Sequence, residues 1–168
     1  MIKLILSAPV PAMAAAFELY FQNTENVEII RGPFETVLEF DCMVSAANSF
    51  GLMDGGVDAA ITTYFGTQLQ ERVQQHILRE YLGEQPVGTA FVTGTGNSKH
   101  PWLVHAPTIR VPLIIDGTDA VYNATRPRYW QYFSTIKAPG KTGKLNQLYS
   151  LPWGPGVVRY PRTASPGK

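Results

Sequence analysis

The run VSAANSFGLMDGGVDAAI, from Val44 to Ile61, limits what this chain can fold into more than any other stretch. A short apolar strand signal ends in a glycine-rich loop, and the loop opens a helix. Such a passage fits a sheet whose ligands bind outside the carboxyl ends of its strands. Gly55 and Gly56 permit positive φ and close backbone approach. Successive N–H groups running into a helix start favour an anion such as a pyrophosphate. Asn48 offers a donor and acceptors suited to a ribose hydroxyl. Asp58 can accept a hydrogen bond or orient a water. The competing reading is a tight turn, in which Asp54 caps the helix and the glycines only make the bend.

The rest of the chain supplies strands and helices in alternation. Ile2 to Ser7 reads as a strand, Met13 to Phe21 as a helix with Pro11 at its start, and Val27 to Ile30 as a second strand stopped by Gly32-Pro33. Cys42 to Ala46 is short and apolar, as buried parallel strands are. Gly56 to Tyr64 continues as a helix. Thr67 to Leu82 is a clearer one, with Leu69, Val73, Ile77 and Tyr81 at helical spacing and Gly83 past its end. Gly88 to Thr93 and Trp102 to Ala106 read as strands. Asp116 to Arg126 begins a helix with Thr118 or Asp119 as cap. The alternation predicts an α/β fold with a mostly parallel sheet covered on both faces.

Composition narrows the function classes. At 168 residues, with 45% hydrophobic and 16% charged residues, the chain has the balance of one globular domain rather than a disordered one. A net charge of +1 gives no global field to recruit nucleic acid or a membrane. No apolar run approaches the ~20 residues of a membrane span. Lys3, Leu4 to Leu6 and Ala12 to Ala16 loosely imitate a secretory signal. Pro9 and Pro11 interrupt it, so a strand followed by a helix is expected.

Cys42 is the only cysteine, which rules out an intrachain disulfide and makes a cytoplasmic setting the expectation. Core packing is its expected role. His105, on an apolar strand, reads as a core histidine with a satisfied ring. His76 and His100 read as surface or loop residues. The histidines form no paired ligand spacing, so no metal and no cofactor are expected.

At Ser45 to Ile61 the sequence resembles the macro domain family. The family signature runs N-A-A-N, a spacer, a glycine run, then V-D and a helix; this chain reads S-A-A-N, S-F-G-L-M-D, G-G, V-D-A-A-I. A second block, GTAFVTGTGN from Gly88 to Asn97 followed by WLVHAPTIRVP from Trp102 to Pro112, matches in order. The resemblance covers roughly Val27 to Arg126. It implies a three-layer α/β/α sandwich with a mixed, mostly parallel sheet that binds ADP-ribose or an ADP-ribosylated protein. Some members of the family hydrolyse ADP-ribosyl linkages. Residue by residue, it implies that Asn48 lies near the distal ribose, with Ala47 beside it. It implies that Asp54, Gly55, Gly56 and Val57 face the diphosphate and that Thr95 and Gly96 also line the ligand. Asp58 corresponds to the aspartate that assists a water. Ser45 departs from the first asparagine, Asp54 from a common glycine and Thr62 from a histidine. Gly32-Pro33-Phe34 stands where the family has an adenine-binding aspartate. Glu35 is a candidate substitute.

After Arg126 the character changes. Residues 127–168 are basic and rich in proline and glycine, without a period, and read as an irregular tail. A shifted frame restores the missing family text. The last base of each codon joined to the first two of the next allows Ala-Ala-Leu-Leu-Ala from Arg126 onward. From Pro152 it allows Leu-Gly-Thr-Gly-Cys-Gly, a second phosphate loop. There the first glycine is nearly fixed, because TGG followed by GG reads GGG. The alternative is a naturally divergent tail. A shifted frame predicts poor solubility or incomplete folding beyond Arg126. The three functional readings are therefore an ADP-ribose binder with hydrolase chemistry, a non-catalytic reader or inactive remnant, and, ranked last, a nucleic-acid binder. The last would use the tail's Tyr129, Trp130, Tyr132 and Phe133 for base stacking.

Overall fold

The computed structural model describes residues 3–111, 118–124 and 147–150. Strand β1 spans Lys3–Ser7, helix α1 Pro11–Phe21 and strand β2 Val27–Ile30. Strand β3 spans Cys42–Asn48, α2 Gly56–Phe65, α3 Thr67–Tyr81, β4 Phe91–Gly94 and β5 Trp102–Ile109. A short α4 covers Ala120–Ala124, and β6 covers Gln147–Ser150. The sheet order is β2-β1-β6-β3-β5-β4. β4 runs antiparallel to β5, and every other pairing is parallel.

Most boundaries lie within a residue or two of those read from sequence. β3 and β5 run further than expected because their small residues pair on to the end: Asn48 aligns with Ile109, after a register shift at Ala47. β4 starts later than expected. Gly88 instead makes a turn, with φ +82 and its N–H bonded to the Pro107 carbonyl at 3.1 Å. In the predicted Asp116 to Arg126 helix, only residues 118–124 are described. There the Thr118 hydroxyl accepts the Ala120 N–H at 3.4 Å.

The expected irregular tail lies outside the described residues except at β6. Those four residues fill a central position between β1 and β3, where the sequence carries no strand period. The reason is backbone chemistry. Two flanking parallel strands offer N–H and C=O partners on both sides, whatever side chains arrive.

The main core lies between the sheet and the pair α2 and α3. The α3 stripe of Leu69, Val73 and Ile77 packs with Ile61 of α2 against Ile5, Met43, Phe91 and Leu103. Each such side chain contributes about 1.5–3 kcal/mol on burial. Cys42, Val104 and Ala106 form a separate cluster with Val44 and Val92. Cys42 is fully buried, as expected, and burial pushes its thiol far up. Helix α3 ends at Leu82, which adopts a left-handed φ of 55°, followed by Gly83 at 98°.

His100 lies in a loop, as the sequence implied, but not at the surface. It is 2% exposed, its ring 4.1 Å from that of Phe40, with Nδ1 3.3 Å from the Tyr64 hydroxyl. A Pro-flanked position reads as a loop, and it is one, but the loop folds inward over the core. His76 is half-buried and stacks on Phe91 at 3.8 Å. His105 is fully buried, and its Nδ1–H donates to Gln85 Oε1 at 2.7 Å. Its Nε2 has no partner among the described residues, so the ring is only half satisfied. Burial lowers its pKa to about 3, which keeps it neutral. Among the described residues, no helix is long and apolar enough to cross a membrane.

Candidate functional site

Parallel strands β1, β2, β3, β5 and β6 direct their carboxyl ends to one edge of the molecule. The loop from Asn48 to Gly56 lies at that edge, between β3 and α2. It is pinned by side chains rather than by regular structure. Asn48 Nδ2 donates to the Leu52 carbonyl at 2.7 Å, while Oδ1 accepts the N–H groups of Phe50 at 3.0 Å and Leu52 at 3.2 Å. Met53 is held at both backbone atoms. Its N–H donates to Gln70 Oε1 at 2.8 Å, and its carbonyl accepts the Thr62 hydroxyl at 2.9 Å. Ser49 joins the loop to the end of β5 and to Gln85.

Asn48 is thus mainly an organiser of the loop, with one amide hydrogen left for a ligand. Sequence reasoning assigned it to the ligand because an exposed amide and a loop-bracing amide look alike in one dimension. Gln70, Gln85 and Thr62 as loop anchors had no readable signal. A lone glutamine on a helix carries none.

Gly51 is the tightest point. It has φ +64, and a Cβ there would lie 2.7 Å from Val73 Cγ1 and 2.9 Å from Ile77 Cδ1. The loop therefore rests directly on α3. Gly55 and Gly56 are different: a Cβ at either meets nothing within 4 Å. Open space thus faces the N-terminus of α2, where unpaired N–H groups give a partial positive charge. Gly55 is the N-cap and no side chain caps the helix, so Asp54 does not act as the cap of the competing reading. Asp54 is exposed, while Val57 turns its side chain partly toward the core. Ala47 is buried, and its carbonyl lies 3.5 Å from the Thr108 hydroxyl.

Asp58 sits in the first turn of α2 and is 7% exposed. The Ser45 hydroxyl on β3 donates to its Oδ1. Burial pushes the Asp58 carboxyl up to about 7; the Ser45 hydrogen bond opposes this, and the nearby Asp54 charge adds to it. The residue is therefore near its midpoint at neutral pH.

Thr95 and Gly96 do not join this site. They follow β4, whose last residue Gly94 pairs with Trp102 at the start of β5, beside Cys42 at the start of β3. Asn48 lies at the other end of β3, roughly 20 Å along the strand. The antiparallel direction of β4 carries its loop to the wrong edge. Arg72 holds that loop by donating to the carbonyls of Gly94 at 3.0 Å and Thr95 at 2.8 Å.

A cavity of about 540 Å³ opens beside β1, β2 and residues 36–41. None of residues 48–58 lines it. Its walls carry the Lys3–Glu28 ion pair together with Glu39 and Asp41, a balance of charge unsuited to a diphosphate. Among the described residues, no group of three His, Cys, Asp or Glu side chains is placed to hold a metal.

A macro domain family model matches residues 44–127, half of the chain. The O-acetyl-ADP-ribose deacetylase of Escherichia fergusonii is 30% identical over 140 residues, covering 83% of this chain and 73% of that protein. A macro domain-containing protein of Caldanaerobacter subterraneus is 38% identical over 82 residues, covering 49% of this chain and 45% of the relative. Among solved structures, the Oceanobacillus iheyensis macrodomain with ADP matches at a TM-score of 0.51 and 19% identity, over 71% of this chain and 79% of that one. The chain belongs to the macro domain family, with its α/β/α fold. It spans about half the length of the curated relatives first matched, 57%, 45% and 57%.

Proposed function

We propose that this chain binds ADP-ribose, with the diphosphate on the N-terminus of α2. The observation that carries this reading is the open space before Gly55 and Gly56, at a helix start that no side chain caps. A ligand phosphate fits there and supplies the acceptors that the helix N–H groups lack. The solved macrodomain with ADP supports the nucleotide class. Saturable binding of ADP-ribose in titration calorimetry is the expected result, and no heat of binding at millimolar ligand would reject the reading.

Hydrolysis of an ADP-ribosyl linkage is the finer reading. Asp58 in its ionised form accepts a proton from a water that attacks the anomeric carbon, and the bond to the leaving group breaks, the leaving group keeping the bonding electrons and taking a proton from solvent. The deacetylase relative supports hydrolytic chemistry. One observation favours a non-catalytic reader of ADP-ribosylated protein instead: Asp58 is 93% enclosed, being 7% exposed, and its carboxyl is bonded inward to Ser45. A release assay on ADP-ribosylated protein separates the two. Release that Asp58→Ala abolishes, with binding retained, supports the hydrolase; binding without release supports the reader.

A further inference from the structure

We propose that Ser45 is a positioning residue for Asp58, its hydroxyl holding the carboxyl against β3 in both charged and neutral forms, so that an anionic ligand docks on the loop with uptake of a proton by Asp58. The inference rests on the proposed anion site at the start of α2. Its basis is a pair of carboxylates in the wrong place for a diphosphate. Asp54 and Asp58 bracket Gly55-Gly56, the positions with open space before them.

A ligand diphosphate carries negative charge to that point. Like charges nearby disfavour ionisation of a carboxyl. Asp54 is exposed to solvent, whereas Asp58 is buried. Asp58 is therefore the group that takes the proton. No bond in the ligand changes; one Asp58 oxygen gains a proton from solvent, and because a neutral carboxyl cannot take a proton from water, proton uptake accords with the reader rather than the hydrolase.

Ser45 makes the change possible without a rearrangement. A hydroxyl is both donor and acceptor. It donates to the ionised Asp58, as here, and after rotation of its O–H it accepts from the protonated form. Ser45 is completely buried and lies on β3, so its oxygen stays fixed while its hydrogen turns. Among the described residues, the groups acting on the Asp58 carboxyl are the Ser45 hydroxyl from β3 and the Asp54 charge from the loop. Among the described residues, no cation is hydrogen-bonded to it. The family asparagine that Ser45 replaces would offer an amide, whose donor and acceptor ends exchange only by flipping the whole group.

Linkage makes the effect reciprocal: if ligand favours the protonated form, protonation favours ligand. ADP-ribose affinity of the full chain should be flat at low pH. It should then fall by up to about tenfold per pH unit above an onset set by Asp58 in the free protein. Ser45→Ala removes a donor that favours the charged form and moves the onset up. Ser45→Thr keeps the hydroxyl and restores it. Asp54→Asn removes a repelling charge and moves it down. Mere structural damage weakens binding without moving the onset in opposite directions. The companion measurement is a carbon NMR titration of the Asp58 carboxyl in the ligand-free chain, which needs no ADP-ribose. A midpoint that rises in Ser45→Ala and falls in Asp54→Asn supports the positioning role. An unmoved midpoint overturns it, whatever the ligand proves to be. An affinity independent of pH across the midpoint overturns the proton uptake, while absence of ADP-ribose binding counts against the proposed function alone.

Discussion

Ser45 and Asp58, 13 residues apart in sequence, meet in the core as a hydroxyl donating to a carboxyl, and join β3 to the first turn of α2. This bond ties together the two elements that flank the glycine loop. It also leaves a buried carboxyl whose charge the fold must tolerate.

That carboxyl has a consequence for stability. Its folded pKa of about 7 lies above the unfolded value near 3.9, so the folded state holds the extra proton between them. Stability from this group is fully present below about pH 4 and is lost as pH rises toward about pH 7. His105 acts oppositely. Its pKa falls to about 3 on burial, so its contribution is lost as pH drops below about pH 6.5. The two slopes offset one another over much of the same range. Asp58→Asn should therefore unmask the histidine, giving a variant whose melting temperature climbs from about pH 4 to about pH 6.5 while the parent stays nearly level. Parallel curves for the two proteins would refute the assignment.

Gly51→Ala should destabilise the chain by about 1–3 kcal/mol in urea unfolding. Its φ of +64 disfavours a side chain, and the new methyl would enter the space of Val73 and Ile77. Because the loop rests on α3 there, ADP-ribose affinity should fall as well. Unchanged stability would mean that the loop does not bear on the helix.

Thr95→Val removes the hydroxyl that bonds the His100 carbonyl at 2.5 Å and accepts the Asn97 N–H at 3.0 Å. A loss of about 1–3 kcal/mol of stability is expected. ADP-ribose affinity should not change, since this loop lies at the opposite end of the strands. A large drop in affinity with normal folding would return Thr95 and Gly96 to the ligand site.

The family-model match ends at residue 127, while the Escherichia fergusonii relative aligns over 83% of the chain; we propose that a shifted frame begins near Arg126. Sequencing the coding DNA across codons 126 and 127 against that of close relatives should reveal a single-base insertion or deletion. Correcting it should extend the family match through a second glycine-rich loop and tighten ADP-ribose binding. Relatives that share the tail in the same frame would rule this out.

Much of the fold was legible because its periodicity is strong. The α3 stripe Leu69, Val73 and Ile77 and the apolar start of β3 at Cys42 each announce their element, and the chain folds them as read. Gly56, at φ +55, was legible because few residue types make such a turn, whereas Gly55 is extended and does not use the positive φ that the sequence offered. What the sequence hid is direction and partnership. Nothing in Gly88 to Asn97 says that β4 runs antiparallel, which is what removes Thr95 and Gly96 from the ligand edge. Nothing around Asn48 says that its amide is used on Phe50 and Leu52. His100 looked exposed because its neighbours are polar, yet its ring is enclosed by Phe40, Tyr64 and Phe65.

The most direct test is titration calorimetry of ADP-ribose into the parent chain and into Gly55→Val. Gly55 has φ −137 and ψ 153, an extended conformation that valine adopts readily, and its Cβ position is empty. The variant should fold with a small drop in melting temperature, since valine is a poorer N-cap than glycine; a melting curve separates that drop from a direct effect on binding. The parent should bind saturably, and the variant at least about tenfold more weakly, or about 1.4 kcal/mol. Equal affinities, or no binding by the parent, would contradict the proposed site.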